Sequence, residues 1–269
     1  RAETTTKAQK LVQPDVTAEY DYHATVNADG GLRLRYGPGT NYNVILVIPN
    51  GSTVVEAGYG ADVEWLYVKY NNRYGWVKRE YLVFEGGMAK PVIYLYPQIE
   101  TQVRASLQIV NGRLTCTYPE YNRGWNVTAF PGGRIINNAD GREYSYLYWE
   151  AVADVKYDFS KGFVVKGSDT ASFLQNKLAE IGLLPSEYNE FIVYWLPLMK
   201  DNEYNLISFQ DTAYTDSARL EITPQPDSIL RVFMAFKPLS QKIEIEEQVF
   251  PKFNRTGFTV VEWGGTEVK

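Results

Sequence analysis

With a single cysteine, Cys116, and a single histidine, His23, among its 269 residues, the chain lacks the side chains on which several chemistries depend. An internal disulfide needs two thiols, and a zinc cage needs three or four Cys or His ligands, so neither fits. A cysteine peptidase requires a thiolate beside an imidazole base, yet the two residues stand far apart in sequence. A Ser-His-Asp relay meets the same shortage of imidazole. Cys116, within Leu114-Thr115-Cys116-Thr117, reads as a small buried hydrophobe and His23 as a surface residue. No metal site and no cofactor are expected.

Long apolar runs are missing as well. The longest, residues 44–48 and 191–198, fall short of the roughly 18 to 20 residues that a membrane-spanning helix needs. The formal charge is −5, and no stripe of Lys and Arg interrupts the acidic balance. Phosphate binding depends on such clusters, so no nucleic-acid partner is expected. The glycine-rich stretch 31–39 lacks a closing Lys-Ser/Thr and a following helix, which excludes a phosphate loop. Asp140-Gly141 lacks the spaced acids of a calcium loop.

Aromatic residues are what the chain has in excess: 21 Tyr, 12 Phe and 6 Trp. Such side chains favour strands, fill cores and make surfaces that contact sugars and peptides. Hydrophobic residues at 45% and charged residues at 22% allow a real core, and the length suits two domains. The beginning, rich in Thr, Lys and Gln, reads as a trimmed, flexible leader over residues 1–19; a removed signal peptide or a truncation accounts for the start at Arg1.

Residues 31–82 carry the punctuation of short antiparallel strands. Leu32 and Leu34 point one way, Arg33 and Arg35 the other, before the turn Gly37-Pro38-Gly39. A strand over 44–48 and the turn Pro49-Asn50-Gly51 follow, then a strand over 53–57, the loop Tyr59-Gly60-Ala61-Asp62 and a strand over 65–70. Asn71-Asn72 is a hairpin turn into a return strand over 73–77. The ordered set Leu32-Arg33-Leu34-Arg35, Gly37-Pro38, Asn50-Gly51, Trp65 with Val68, Gly75-Trp76-Val77 and Tyr81-Leu82 resembles the bacterial Src-homology-three domain. Arg33 stands where many members of that family have Asn. The resemblance implies a small β-barrel over residues 20–84 and a secreted or cell-surface protein. It also implies a partner in the cell envelope, peptidoglycan or another glycan or peptide.

Small barrels bind such polymers in grooves where Tyr and Trp stack on sugar faces or peptide backbone. The candidate ligand-binding residues are Tyr36, Tyr42, Tyr59, Trp65 and Tyr74, with Tyr81 near the end of the module and Arg33, Arg35 and Arg73 as partners for carboxylates. Trp65 and Trp76 have a competing role in the barrel core.

Residues 85–89 read as a linker, and residues 90–269 as a larger, β-rich α+β domain of unknown function. Strands are expected over 92–96, 103–109, 113–118, 125–130, 144–151, 191–196, 205–209, 219–222, 229–236, 243–246 and 258–263. One helix is expected after Ser168, with Ala171, Leu174, Leu178 and Ile181 on one face and Gly182 at its end. A second, short helix over 185–190 is a weaker expectation. The segments 90–97 and 258–265 resemble an uncharacterised family of Gram-positive gut bacteria, which implies a defined domain and no known activity. Both are apolar and sit at the domain's ends, so these strands are expected to pair.

For catalysis, only carboxylates remain. Glycoside cleavage needs two acids flanking one bond, one of them held protonated by apolar neighbours. Glu150, Glu190 and Glu262 lie in aromatic company, with Asp154 and Asp158 nearby, and Glu150 with Glu262 is the runner-up catalytic pair. The alternative places these acids on the solvent faces of alternating strands. The favoured reading is a binding protein with a non-catalytic second domain; a carboxylate-based glycan hydrolase and an adhesin-like surface protein are the alternatives.

Overall fold

A computed structural model describes residues 9–60, 64–84, 87–153 and 155–268. The start of the expected leader, Ala61 and Asp62 of the expected loop, Glu85 and Gly86 of the expected linker, and Asp154 lie outside the described residues. The chain divides into two compact units, Arg1–Glu85 and Gly86–Lys269.

In the first unit seven strands follow in sequence: β1 Val16–Val26, β2 Leu32–Arg35, β3 Val44–Ile48, β4 Thr53–Tyr59, β5 Trp65–Tyr70, β6 Arg73–Lys78 and β7 Leu82–Phe84. They form one antiparallel sheet in the order β3-β2-β6-β5-β4-β1-β7. Ala24, Leu34, Ile48, Val54, Leu66, Val68, Val77 and Leu82, drawn from every strand, meet in one cluster. The sheet must therefore curl around its apolar face. Asn71 and Asn72 both have positive φ, the backbone a tight hairpin with right-handed twist requires. The expected leader is shorter than its composition suggests, because β1 begins at Val16 and pairs with β4.

The second unit has three layers. Strands β8 Gly87–Tyr96, β9 Thr101–Ile109, β10 Gly112–Tyr118, β11 Trp125–Ala129, β12 Ile135–Asn137, β13 Glu143–Tyr144, β14 Leu147–Ala153 and β15 Phe163–Lys166 precede two helices, α1 Thr170–Ile181 and α2 Pro185–Met199. Then come β16 Tyr204–Gln210, the single turn α3 Thr212–Thr215, β17 Ala218–Thr223, β18 Ser228–Leu239 and β19 Thr259–Glu267. A seven-stranded sheet runs β10-β14-β8-β19-β18-β16-β15 and a five-stranded sheet β13-β12-β11-β9-β17. Ile93, Trp149, Phe233 and Val260 of the large sheet pack against Val103, Trp125 and Val127 of the small one. The other face of the large sheet, with Val92, Val232, Met234 and Trp263, packs on Leu174, Leu178, Phe191 and Trp195 of the helices. Buried on both faces, its central strands carry nearly continuous apolar runs. The two end strands of the domain, β8 and β19, pair antiparallel, and β18 with β19 is parallel. β8 already begins at Gly87, inside the expected linker.

Several expectations are corrected. The segment 191–196 is not a strand but the middle of α2. Phe191, Trp195 and Met199 recur every fourth residue on the buried face, while Val193 is 75% exposed. Apolar residues on both sides of this helix imitate a strand's run, because α2 is apolar beyond its core-facing stripe. Pro185 at the first helical position and the Glu187 carboxylate, which accepts the Leu184 N–H at 2.7 Å, set its start. Gly265 of β19 leaves room for this helix: a Cβ there would stand 2.8 Å from Cζ2 of Trp195. Residues 243–246 make only one isolated bridge, Lys161 to Glu246. The helix α1 starts at Thr170 after a 3-10 turn over Gly167–Asp169, so Ser168 precedes its cap. Cys116 is exposed, not buried, because β10 is an edge strand of the large sheet.

On the small sheet the turn after β12 supplies a pH-dependent contribution. The Tyr144 hydroxyl donates to Asp140 at 2.6 Å and the Arg142 N–H at 2.9 Å, and these bonds hold the Asp140 carboxyl below the usual carboxylate range. The same bond pushes Tyr144 up to about 12. A carboxyl depressed in the folded state stabilises above its unfolded pKa and ceases to do so as pH falls through its folded one. Asp140→Asn is therefore expected to flatten the pH dependence of unfolding below about pH 4. Urea unfolding measured at a series of acidic pH values checks this, and unchanged slopes would refute it.

Candidate functional site

Strand alternation in the first unit leaves a second set of side chains on the outside of the curled sheet. Leu66 and Val68 point inward, so Trp65, Tyr67 and Lys69 of β5 point outward. Register pairs Tyr67 with Trp76 and Lys69 with Tyr74 of β6, extending the row across two strands. The ring centroids of Tyr67 and Tyr74 lie 5.8 Å apart at 18°, and those of Tyr67 and Trp76 lie 5.5 Å apart at 60°. Lys69 Nζ stands 5.9 Å from the centroid of Tyr74, adding a cation to the aromatic row.

Trp65 and Trp76 are buried, at 7% and 1% exposure, yet not in the core the sheet curls around. They form a separate cluster with Tyr67, covered by Leu11, Val12 and Ala57. Segment 9–15, with no strand ladder of its own, lies over them. Val12 N–H donates to the Tyr36 carbonyl at 2.8 Å, and the Trp76 indole N–H donates to the Val12 carbonyl at 2.9 Å. Asn43 N–H donates to Gln9 Oε1 at 2.7 Å. Gly58 of β4 leaves room for Pro14 and for the start of β1, since a Cβ there would come 2.8 Å from Pro14 and 2.5 Å from the Val16 carbonyl.

Beside this segment a groove of about 530 Å³ is lined by Gln13, Pro14, Thr17, Tyr67, Lys69 and Tyr74. Burial raises the Tyr67 hydroxyl's pKa, and a hydrogen bond with the Gln13 side chain acts the other way. Such a site offers stacking faces and one cation.

Of the residues singled out in the sequence, Trp65 and Tyr74 lie on this face, and Tyr36 joins it through its carbonyl. Arg35 is turned to the loop that follows, donating from Nη1 to the carbonyls of Thr40 at 3.2 Å and Tyr42 at 2.8 Å. Tyr42 packs its ring against Gly37 in the same loop. Tyr59 packs against the inner core, Arg33 is exposed opposite Val47, and Arg73 is exposed beside the β5–β6 turn. Tyr81 is 40% exposed next to β7. Reading missed Tyr67 and Lys69, although both share the parity of Trp65, and missed Leu11 and Val12 because they fall in the leader.

Glu150 and Glu262 do not converge. Glu262 faces the space between the sheets, where its carboxylate accepts from Trp149 Nε1 at 3.1 Å, Tyr214 hydroxyl at 2.8 Å and Arg231 Nε at 2.6 Å. It is fully buried, against the expectation of a solvent-facing acid. Burial alone would lower Arg231, but the Glu262 charge beside it holds the guanidinium above its ordinary value. Glu150 follows Trp149 in β14 and so faces the opposite side of the same sheet, accepting the Lys90 N–H at 3.4 Å. Glu190 accepts the Tyr94 hydroxyl at 2.9 Å. Lys90 Nζ sits 5.8, 5.2 and 5.6 Å from the rings of Tyr146, Tyr148 and Tyr194. The runner-up pair Glu150 and Glu262 therefore shares no cleft, because a sheet separates the two groups.

Among the described residues no helix is long and apolar enough to cross a membrane. Comparison with known proteins places the first unit. The chain is 47% identical over 68 residues to an uncharacterized protein of Butyrivibrio fibrisolvens, covering 24% of this chain and 68% of that one. It is 39% identical over 62 residues to YrvJ of Bacillus subtilis, named for an N-acetylmuramoyl-L-alanine amidase activity, covering 22% of this chain and 11% of that one. No solved structure matches. A family profile described as Bacterial SH3 domain matches residues 30–83, the span of β2 to β7, and the chain belongs to the bacterial SH3-domain family.

Proposed function

We propose that this is a cell-envelope binding protein, exported or held at the cell surface, whose SH3 unit grips peptidoglycan or a related polymer through the outer aromatic face. The single observation carrying this is the open groove walled by Tyr67, Tyr74 and Lys69, with the two tyrosine rings stacked. Stacking surfaces of this kind recruit sugar faces and peptide planes at low entropic cost. The family membership supports the same reading, as does a relative named as an amidase of the muramoyl–alanine linkage. The second unit is assigned a recognition or scaffolding role without catalysis, since its buried acid Glu262 is spent on holding the two sheets together.

Cosedimentation of the full chain with purified cell walls tests this. Tyr74→Ala with Lys69→Ala is expected to weaken pelleting about 10-fold, equivalent to about 1.4 kcal/mol, while leaving the thermal transition in place, since Tyr74 is 42% exposed. Failure of the unaltered chain to pellet with walls would remove the proposal, and equal pelleting by the double variant would move the site off this face.

A further inference from the structure

The segment lying on the aromatic face is informative about what the face accepts. Leu11 and Val12 bury apolar side chains against Trp65, Tyr67 and Trp76. The backbone of Val12 is read on both sides, its N–H by the Tyr36 carbonyl and its carbonyl by the Trp76 indole. A surface that pairs one residue's main-chain donor and acceptor while packing neighbouring side chains is built for an extended peptide, as in other modes of strand-like peptide capture.

Further contacts hold the segment: Asn43 N–H donates to Gln9 Oε1, the Gln13 side chain hydrogen-bonds the Tyr67 hydroxyl, and Leu11 and Val12 are partly buried. Because β1 begins at Val16, only a few residues tether the segment, so it occupies the face at high effective concentration. Beside Gln13 and Pro14 lies the open groove with Lys69 and Tyr74, also lined by Thr17 and Ala18 of β1, so an incoming peptide has a free part of the same surface to enter.

We infer that the aromatic face of the SH3 unit is a peptide-binding groove and that residues 9–14 are its resident, competing ligand. The inference rests on the proposed envelope-binding role only for the identity of the incoming peptide. A ligand for a groove that is mostly occupied shows an affinity reduced by the open fraction. Releasing the segment therefore raises affinity without adding a contact.

The test uses the full chain carrying Leu11→Ser and Val12→Pro, neutral changes that remove the apolar anchors and the Val12 N–H. Two titrations follow. In the first, a synthetic peptide of the sequence of residues 9–15 is added and indole fluorescence is followed. The opened variant is expected to bind it saturably and the unaltered chain to respond at least about 10-fold more weakly. In the second, pelleting is compared on intact walls and on walls whose stem peptides have been removed. Opening is expected to raise binding about 10-fold on intact walls alone. No peptide binding by the opened variant would overturn the inference, as would an equal gain on peptide-stripped glycan. Peptide binding without pelleting on any wall would uphold the groove and remove only the envelope-binding role. Amide exchange in the unaltered chain needs no variant: excess soluble stem peptide, or the synthetic peptide if walls are not bound, should speed exchange at Val12. Unchanged exchange at saturating peptide would overturn the inference.

Discussion

Glu262→Leu is expected to cost the second unit about 3–5 kcal/mol of unfolding free energy, because it leaves the Arg231 charge buried without its counterion. Three donors converge on that carboxylate, from Trp149, Tyr214 and Arg231, and all three lose their acceptor together. The arrangement explains why one acid can sit fully buried between two sheets: the guanidinium matches its charge, and a phenol and an indole satisfy its remaining lone pairs. The phenol of Tyr214 is in turn kept neutral by burial and by the Glu262 charge, which raise its pKa well above the ordinary value. Replacing both charges, Arg231→Met with Glu262→Leu, is expected to recover at least about 2 kcal/mol of the loss, since an apolar pair pays no desolvation. Urea unfolding of the full chain followed by fluorescence measures both. A single-variant loss under about 1 kcal/mol, or no recovery in the double variant, would show that the network does not clamp the sheets.

Trp76→Ala is expected to unfold the SH3 unit at room temperature while the second unit stays folded. Removing a buried indole costs about 3–5 kcal/mol, and a unit of this size commands a total of about the same amount. Trp76 makes no use of the inner core; its neighbours are Tyr67, Trp65 and the segment above, so the loss opens the outer cluster and frees Val12 at the same time. Trp76→Phe keeps a buried ring and loses the indole bond, an expected cost of about 1 kcal/mol. Amide dispersion in heteronuclear spectra reports the two units separately. A Trp76→Ala chain with a fully dispersed first unit would show that the outer cluster contributes little to its folding.

Much of the SH3 unit was legible because its signals are local. Period-two alternation at Leu32 and Leu34 and the Asn71-Asn72 turn need only neighbouring residues to act, and the structure places them as read. The same locality gave the apolar end strands of the second unit, whose pairing follows from their needing cover on both faces. Where reading erred, a distant element supplied the missing term. Residues 191–196 carry aromatic and β-branched side chains that suit a strand, and they became helix because Phe191 and Trp195 fit the large sheet at helical spacing, beside the cleft left by Gly265. The burial of Glu262 could not be seen without Arg231 and Tyr214, which approach it from other elements.

Composition, alternation and turn residues alone determined that this is a β-rich chain, and an ordered set of motifs gave its resemblance to the bacterial SH3 domain. Tertiary structure alone decided which aromatic residues share a face, which acids are spent on stability, and that residues 9–14 lie on the groove instead of trailing from it. The physical reason is range: strand parity and turn geometry are fixed within a few residues, whereas a cluster such as Trp65, Trp76 and Val12, or Trp149, Tyr214, Arg231 and Glu262, exists only once distant strands have been brought into register.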